Sequence, residues 1–257
     1  ARGRASLAAG AHAGGSRLPD STLGAGVGEM GCPGARAHHA DVGGRQPASM
    51  PAGARELIQE GVVIPPVPLS DDLVRVLLAN MRHPAERRAD LRAQSGCNEL
   101  GARRLRELAD RLGATRLRAG MNELHSYSER RIRRAIARLP DGRFTAQDVI
   151  EGDGIDRHDI VIRATVDIAG DRIVVDFGGT APQQPGNVNC PLAVTRSAVY
   201  FVVRAVCDPD MRAACRSFAP VDLGGPAGAL VNARPPAGRR RAHTGACGRS
   251  GRVVAAG

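Results

Sequence analysis

The sequence predicts an α+β fold, on three observations. Between positions 70 and 140 the apolar residues recur at helical spacing, and between 160 and 177 they alternate with a period of two. The helical and alternating stretches occupy separate blocks and do not interleave, as they would in a parallel βαβ sheet. A final apolar stretch, from Pro191 to Cys207, again has the length of a helix. The expected architecture is therefore a helical hairpin region, then a β-hairpin, then a buried helix.

Each element follows from local chemistry. Residues 1–35 hold nine glycines and little periodicity, and they are expected to fold poorly. Pro65-Pro66-Val67-Pro68 is a stiff extended connector. Ser70 is a natural N-cap, and Asp71 and Asp72 place negative charge at the positive end of the helix that follows. Leu73, Val74, Leu77, Leu78 and Met81 give that helix its apolar face, and Pro84 limits it near Arg82. A second helix is expected from Ala85 to Leu112, with a break near Gly96, on the spacing of Leu105, Leu108 and Leu112. Gly113 ends it.

A third helix begins near Thr115. Leu117, Met121, Leu124, Ile132, Ile136 and Leu139 form its stripe, and Pro140-Asp141-Gly142 stops it. The short connection at Gly113 predicts antiparallel packing of these two helices, with Met121 and Tyr127 as core residues. Ile160, Ile162, Ala164, Val166 and Ile168 alternate with Val161, Arg163, Thr165 and Asp167 as in a half-buried strand. Ala169-Gly170-Asp171 turns the chain into a return strand with Ile173, Val175 and Phe177, and Gly178-Gly179-Thr180 ends it.

Composition bounds the function. The chain of 257 residues is 42% hydrophobic but has no Trp, two Tyr and four Phe, so its core must be Val, Leu, Ile and Ala. The net charge of +10 resembles that of a nucleic-acid binder. All 36 basic residues are Arg, however, and many stand among acids, as in Glu86-Arg87-Arg88-Ala89-Asp90-Leu91-Arg92. Aromatic residues for base stacking are scarce, so no nucleic-acid partner is expected. The six cysteines form no Cys-x-x-Cys pair, which argues against a zinc knuckle or a thioredoxin-like site. No apolar run approaches the roughly 20 residues that span a bilayer, so no membrane partner is expected and a reducing cytoplasm is the default. The chain opens on Ala1, and Gly238 to Gly245 has no pattern a core could use. Both ends read as those of a fragment or of a translation out of frame.

The densest chemistry lies in Arg36-Ala37-His38-His39-Ala40-Asp41-Val42-Gly43-Gly44. Imidazole and carboxylate are ligands for divalent metals, and the glycine pair allows a sharp turn. Six further segments share an order with it: Gly14-Gly15-Ser16-Arg17-Leu18-Pro19-Asp20, the run from Ser49-Met50-Pro51 through Gln59-Glu60-Gly61 to Ile64-Pro65-Pro66-Val67, Asp90-Leu91-Arg92-Ala93-Gln94, Val175 to Gln183, Pro185-Gly186-Asn187-Val188-Asn189-Cys190-Pro191, and Asn232-Ala233-Arg234-Pro235-Pro236. Together these resemble the hydantoinase B/5-oxoprolinase family, whose forms are GGTHLPD, RAHHADVGG, DLRAQ, VDFSGTAPQ, PGNVNAP and NARPPA. The resemblance covers about 36–237, taken as a partial core of the family's domain, with 1–35 as its poorly matching N-terminal part. Residues 238–257 are expected to be a disordered tail.

The resemblance implies ATP-dependent hydrolysis of a cyclic amide such as a hydantoin or 5-oxoproline. ATP would sit on a hydantoinase A-type partner subunit or domain that phosphorylates the substrate oxygen. The alternatives are a subunit of the acetone/acetophenone carboxylase type and an inactive fragment that only docks on the partner. The resemblance also implies a divalent metal on Asp20 and His38, with His39 and Asp41 as neighbours. Asp41 can ligate, or can accept backbone N–H groups in the glycine turn. Arg17 stands at a third ligand position, where a guanidinium cannot coordinate. Asn187 and Asn189 can hydrogen-bond a lactam, or can simply build a turn, and Arg234 can hold a substrate carboxylate or form a structural ion pair. Cys190 stands where the family has Ala, which argues against a nucleophilic role.

Overall fold

A computed structural model of the chain describes residues 6–10, 13–17, 34–37, 39–49, 51, 53–65, 67–212, 214, 216–239, 241–242 and 246–256. The fold is α+β and forms two compact units, Ala1–Pro51 with Leu57–Met121 and Ala52–Glu56 with Asn122–Gly257.

The first unit carries a four-stranded sheet of β1 (Ser6–Gly10), β2 (Ala13–Arg17), β3 (Gly34–Ala37) and β4 (Val67–Pro68), in the order β3-β2-β1-β4. Strands β1 and β2 form an antiparallel hairpin from Ser6↔Arg17 to Gly10↔Ala13. Residues 6–10 and 13–17, for which no regular element was expected, are thus paired strands, and residues 18–33 lie outside the described residues. Backbone pairing needs no side-chain period, so a glycine-rich hairpin leaves no apolar trace in the sequence. Pro68 is tolerated because β4 is an edge strand.

Two helices and the first eight residues of a third complete this unit beside the short α1 (Leu57–Glu60). Helix α2 (Asp71–Ala79) begins as expected, with the Ser70 hydroxyl accepting the Leu73 N–H at 3.1 Å. Such a cap stabilises a helix by about 1 kcal/mol. The helix stops at Asn80, short of Arg82, where the Asn80 N–H turns back to the Leu77 carbonyl. Leu77, Met81 and Ile64 are buried together, with Val42, Val62 and Leu73 packed around them. Helix α3 (Pro84–Leu112) runs unbroken through Gly96. One exposed glycine costs only about 1 kcal/mol, too little to break 29 residues of helix. Pro84 takes the first helical position, where its missing N–H has no partner to lose. Helix α4 (Ala114–Ile136) follows Gly113 directly, and its Leu117 and Met121 pack with Ala102, Leu105, Leu108 and Ala109 of α3. Tyr127, expected in a core, is half exposed.

The second unit is built on β5 (Gly142–Ile150), β6 (Ile160–Ala169), β7 (Arg172–Asp176) and β8 (Val221–Gly224), in that order. The first three strands are antiparallel, and β8 joins β7 in parallel after the crossover through α5 (Leu192–Cys207). The alternation read from the sequence holds, with Ile160, Ile162, Ala164, Val166, Ile173, Val175 and Phe177 buried. They join Ile132 and Ile136 of α4 and Val199 and Val203 of α5 in the main apolar cluster.

Three elements of this unit have no counterpart in the sequence. Strand β5 alternates Arg143, Thr145 and Gln147 with Phe144, Ala146 and Asp148, too polar a pattern to register as a strand. Strand β8 has only four residues. Helix α6 (Gly248–Ala256) lies in the expected disordered tail, yet Val253 and Val254 are buried in the main cluster. No helix among the described residues is long and apolar enough to cross a membrane.

Candidate functional site

The His-His-Ala-Asp segment leaves the end of β3 and runs beside α3. His39 is 7% exposed. It hydrogen-bonds the side chain of Gln94 and feels the charges of Asp90 and Arg87, all from α3. Asp90 and Gln94 are one helical turn apart and share a face. Two segments separated by 50 residues of sequence thus meet at one imidazole. Burial lowers the His39 pKa most, and Arg87 adds to it, against the opposing pull of Asp90 and Gln94. The imidazole is therefore neutral at pH 7. Arg87 is itself nearly buried and pairs with Asp90 at 3.2 Å and Glu86 at 3.1 Å. Asp90 and Gln94 were given no role in the sequence reading; their i,i+4 spacing on a helix was the available signal.

Asp41, two residues on, braces the loop. Its Oδ1 accepts the Gly43 N–H at 2.8 Å, and its Oδ2 accepts the Ala48 N–H at 2.8 Å and Arg82 Nη1 at 3.1 Å. Burial pushes the Asp41 carboxyl up, but these N–H groups and the guanidinium outweigh it and hold the carboxyl below the ordinary range. Arg82 also donates to the carbonyls of Gln46 and Gly44, at 3.0 Å each. The Ser49 hydroxyl accepts the Val42 N–H at 2.8 Å and donates to the Gly43 carbonyl at 2.7 Å. Gly43 has φ +83°, and a Cβ there would stand 2.4 Å from the Asn80 carbonyl oxygen. Only glycine lets this loop close on the end of α2.

Of the residues expected to hold a metal, Asp20 and His38 lie outside the described residues. Asp41, expected to ligate or to accept backbone N–H groups, has both its oxygens engaged by backbone N–H groups and Arg82. The β2–β3 register sets Gly14 against Ala37 and Arg17 against Gly34. The Arg17 backbone is thus three residue pairs from Ala37, or about 10 Å along the sheet. Among the described residues no group of three His, Cys, Asp or Glu side chains could hold a metal ion.

The second unit gathers the remaining motifs. Asp153, fully buried, accepts the N–H groups of Ile155 and Asp156 on Oδ1 and of Gly186 on Oδ2, all at 2.8–2.9 Å. Burial acts upward on its carboxyl, yet these three donors, helped by His158, bring it below the ordinary range. A Cβ on Gly186 would lie 2.1 Å from the Asp153 carbonyl oxygen, so this turn also requires glycine. Asn189 is fully buried, and its amide donates to the carbonyls of Gln184, Gly186 and Gly238 while its Oδ1 accepts the Gln184 N–H. Its side chain thus stitches the turn together, as the turn-building alternative expects. Asn187 is equally buried, and its carbonyl accepts the Arg241 N–H at 3.0 Å.

The Asn232–Pro236 segment lies alongside. The Ala233 N–H donates to the Cys190 carbonyl at 3.1 Å, and the Cys190 N–H to the Leu230 carbonyl at 2.6 Å. Arg234 is exposed, with its N–H fixed on Gln183 Oε1 at 2.9 Å. The structure therefore brings Asn187, Asn189 and Arg234 into adjoining segments, with only the Arg234 side chain open to solvent. Burial pushes the Cys190 thiol up to about 12, which leaves no thiolate to act as a nucleophile.

The profile of the hydantoinase B/oxoprolinase family matches residues 6–256. The chain belongs to that family. Among its relatives, the caprolactamase subunit beta of Pseudomonas jessenii is 35% identical over 79% of this chain. 5-oxoprolinase 1 of Arabidopsis thaliana is 28% identical over 86% of it. The crystal structure of the ATP-dependent caprolactamase from Pseudomonas jessenii superimposes with a TM-score of 0.80 at 30% identity, over 87% of this chain and 40% of that one. The chain spans 36% of the caprolactamase subunit and 20% of the oxoprolinase. This family profile extends through β1 and α6, so the match reaches beyond the 36–237 core outlined by the motifs.

Proposed function

We propose that the chain is part of the B-type component of an ATP-dependent cyclic-amide hydrolase, acting in the cytoplasm with a hydantoinase A-type partner that binds ATP. The observation that carries this reading is the meeting of the His39 segment with Asp90 and Gln94, in a chain 35% identical to a caprolactamase subunit. The chemistry is coherent. A lactam carbonyl is a poor electrophile, and transfer of a phosphoryl group to its oxygen creates a good leaving group. The B-type component then receives the activated ring. Here Arg234, exposed and anchored through its backbone, is proposed to hold a substrate carboxylate, and buried Asn187 to shape the wall behind it. A divalent metal on Asp20 and His38 belongs to the proposal as cofactor.

A second reading, docking on the partner without catalysis, draws support from Arg17 and from the engagement of Asp41. Co-expression with an A-type subunit, followed by measurement of ATP-dependent ring opening of caprolactam, hydantoin and 5-oxoproline, separates the two. Turnover that falls at least about tenfold in Arg234→Gln for the carboxylate-bearing 5-oxoproline alone supports the hydrolase. A stable complex with no ring opening, in which Arg17→His restores neither metal binding nor turnover, supports docking. Bicarbonate-dependent consumption of acetone in place of ring opening assigns the carboxylase type.

A further inference from the structure

The second unit contains a charged cleft that the reading above does not use. Tyr127, Arg130, Arg131 and Arg134 of α4, with Arg138 just beyond it, line a cavity of about 530 Å³ together with Asp208 at the end of α5. That volume is in the range of small-molecule sites. The spacing of three, four, seven and eleven residues puts these side chains on one stripe of the helix and its extension.

Four guanidinium groups face one carboxylate, and that carboxylate is already taken. Arg131 forks it, with Nε on Oδ2 and with Nη2 on Oδ1 at 2.7 Å. Arg131 holds Asp208 below the usual carboxylate range, and Arg138 acts in the same direction. Arg130 bonds Glu123, which lies outside the lining, at 2.6 Å. Arg134 and Arg138 are exposed and make no ion pair among the described residues. Elsewhere on this unit Arg143 lies against Asp167, Arg172 against Asp222, and Arg249 and Arg252 against Asp148, while Arg163 of β6 bonds the neutral Gln147. What sets the cleft apart is that its four arginines converge on one cavity. The negative end of α4 attracts the nearby Arg134 and Arg138, but that explains neither Arg130 and Arg131, farther back on the helix, nor the cavity they share. Like charges four residues apart on a helix repel, and a bound anion relieves that repulsion.

We propose that this cleft binds a multivalent oxyanion of phosphate or polycarboxylate type. Arg134 and Arg138 are its primary contacts, and Arg131, held rigid by Asp208, completes the fork. Guanidinium planes match such oxygens in bidentate geometry. The proposal is independent of the hydrolase reading.

Calorimetric titration of the full chain with pyrophosphate and, separately, with citrate, against chloride at matched ionic strength, tests it. The expected result is saturable binding of one anion per chain, weakened at least about tenfold in Arg134→Gln/Arg138→Gln. Preference for pyrophosphate or for citrate distinguishes the two ligand sources. Asp208→Asn, which removes the only negative charge of the lining, is expected to tighten binding. Arg143→Gln/Arg172→Gln, outside the cleft, leaves it unchanged. Heats no larger than those of chloride overturn the proposal, as does a double variant that binds like the parent. Both changed arginines are exposed, so the double variant is expected to keep the parent's circular dichroism and melting curve.

Discussion

His39 and Asp41 stand two residues apart and answer to different physics. His39 is buried and neutral, so the folded chain binds fewer protons there than the unfolded chain does below its ordinary pKa of 6.5. The associated stability is complete above that pH and is lost as pH falls toward the lowered value. A melting series from pH 7.5 to 5 should show a steeper decline in the parent than in His39→Gln; equal slopes would show that burial of the imidazole is not linked to folding. Asp41 is ionised and buried against two N–H groups and Arg82. Asp41→Asn removes the charge and leaves a guanidinium facing an amide, at a cost of about 2–3 kcal/mol. Urea unfolding measures that loss. A variant of parental stability that has lost affinity for added metal would return Asp41 to the role of ligand.

At the scale of elements, the motifs act mostly as braces. The Pro185–Pro191 segment is held by Asp153 from one side and by the Asn189 amide from within. Asn189→Ala removes the side-chain partner of three carbonyls, those of Gly186 and Gly238 in buried bonds, and of one N–H. It should destabilise the second unit by about 2–3 kcal/mol, with Gly186→Ala at least as damaging because its Cβ collides with the Asp153 carbonyl. Chemical denaturation of both variants reads this directly, and an Asn189→Ala protein of unchanged midpoint would mean that solvent replaces those bonds without cost. Helices α2 and α5 and strands β6 and β7 were legible because capping groups and apolar periods are local signals. Strand β5 was not, since its partner β6 supplies what its own polar pattern lacks. Helix α6 was not, because its burial depends on a cluster assembled from distant segments.

For the whole molecule, the main apolar cluster belongs to the second unit, while the first is organised by smaller clusters around Leu77 and Ala102. Regions with more buried apolar contact open at higher free energy. Native-state hydrogen exchange should therefore find its slowest amides in β6 and β7, at Ile162, Val166 and Val175, and faster exchange in α2. Slowest exchange in α2 would mean that the smaller clusters govern global stability.

By itself the sequence determined the α+β class, the central hairpin, the principal helices and the family, because local periodicity, capping residues and ordered short motifs are written in consecutive positions. Only the tertiary structure decided what the motif residues do. Whether Asp41 faces a metal or backbone N–H groups, whether Asn189 faces a substrate or three carbonyls, and whether four arginines share one cleft all depend on which distant groups folding brings within hydrogen-bond distance. A side chain's chemistry is set by its partners, and those partners lie far along the chain, 77 residues away for Arg131 and Asp208 and 101 for Arg249 and Asp148.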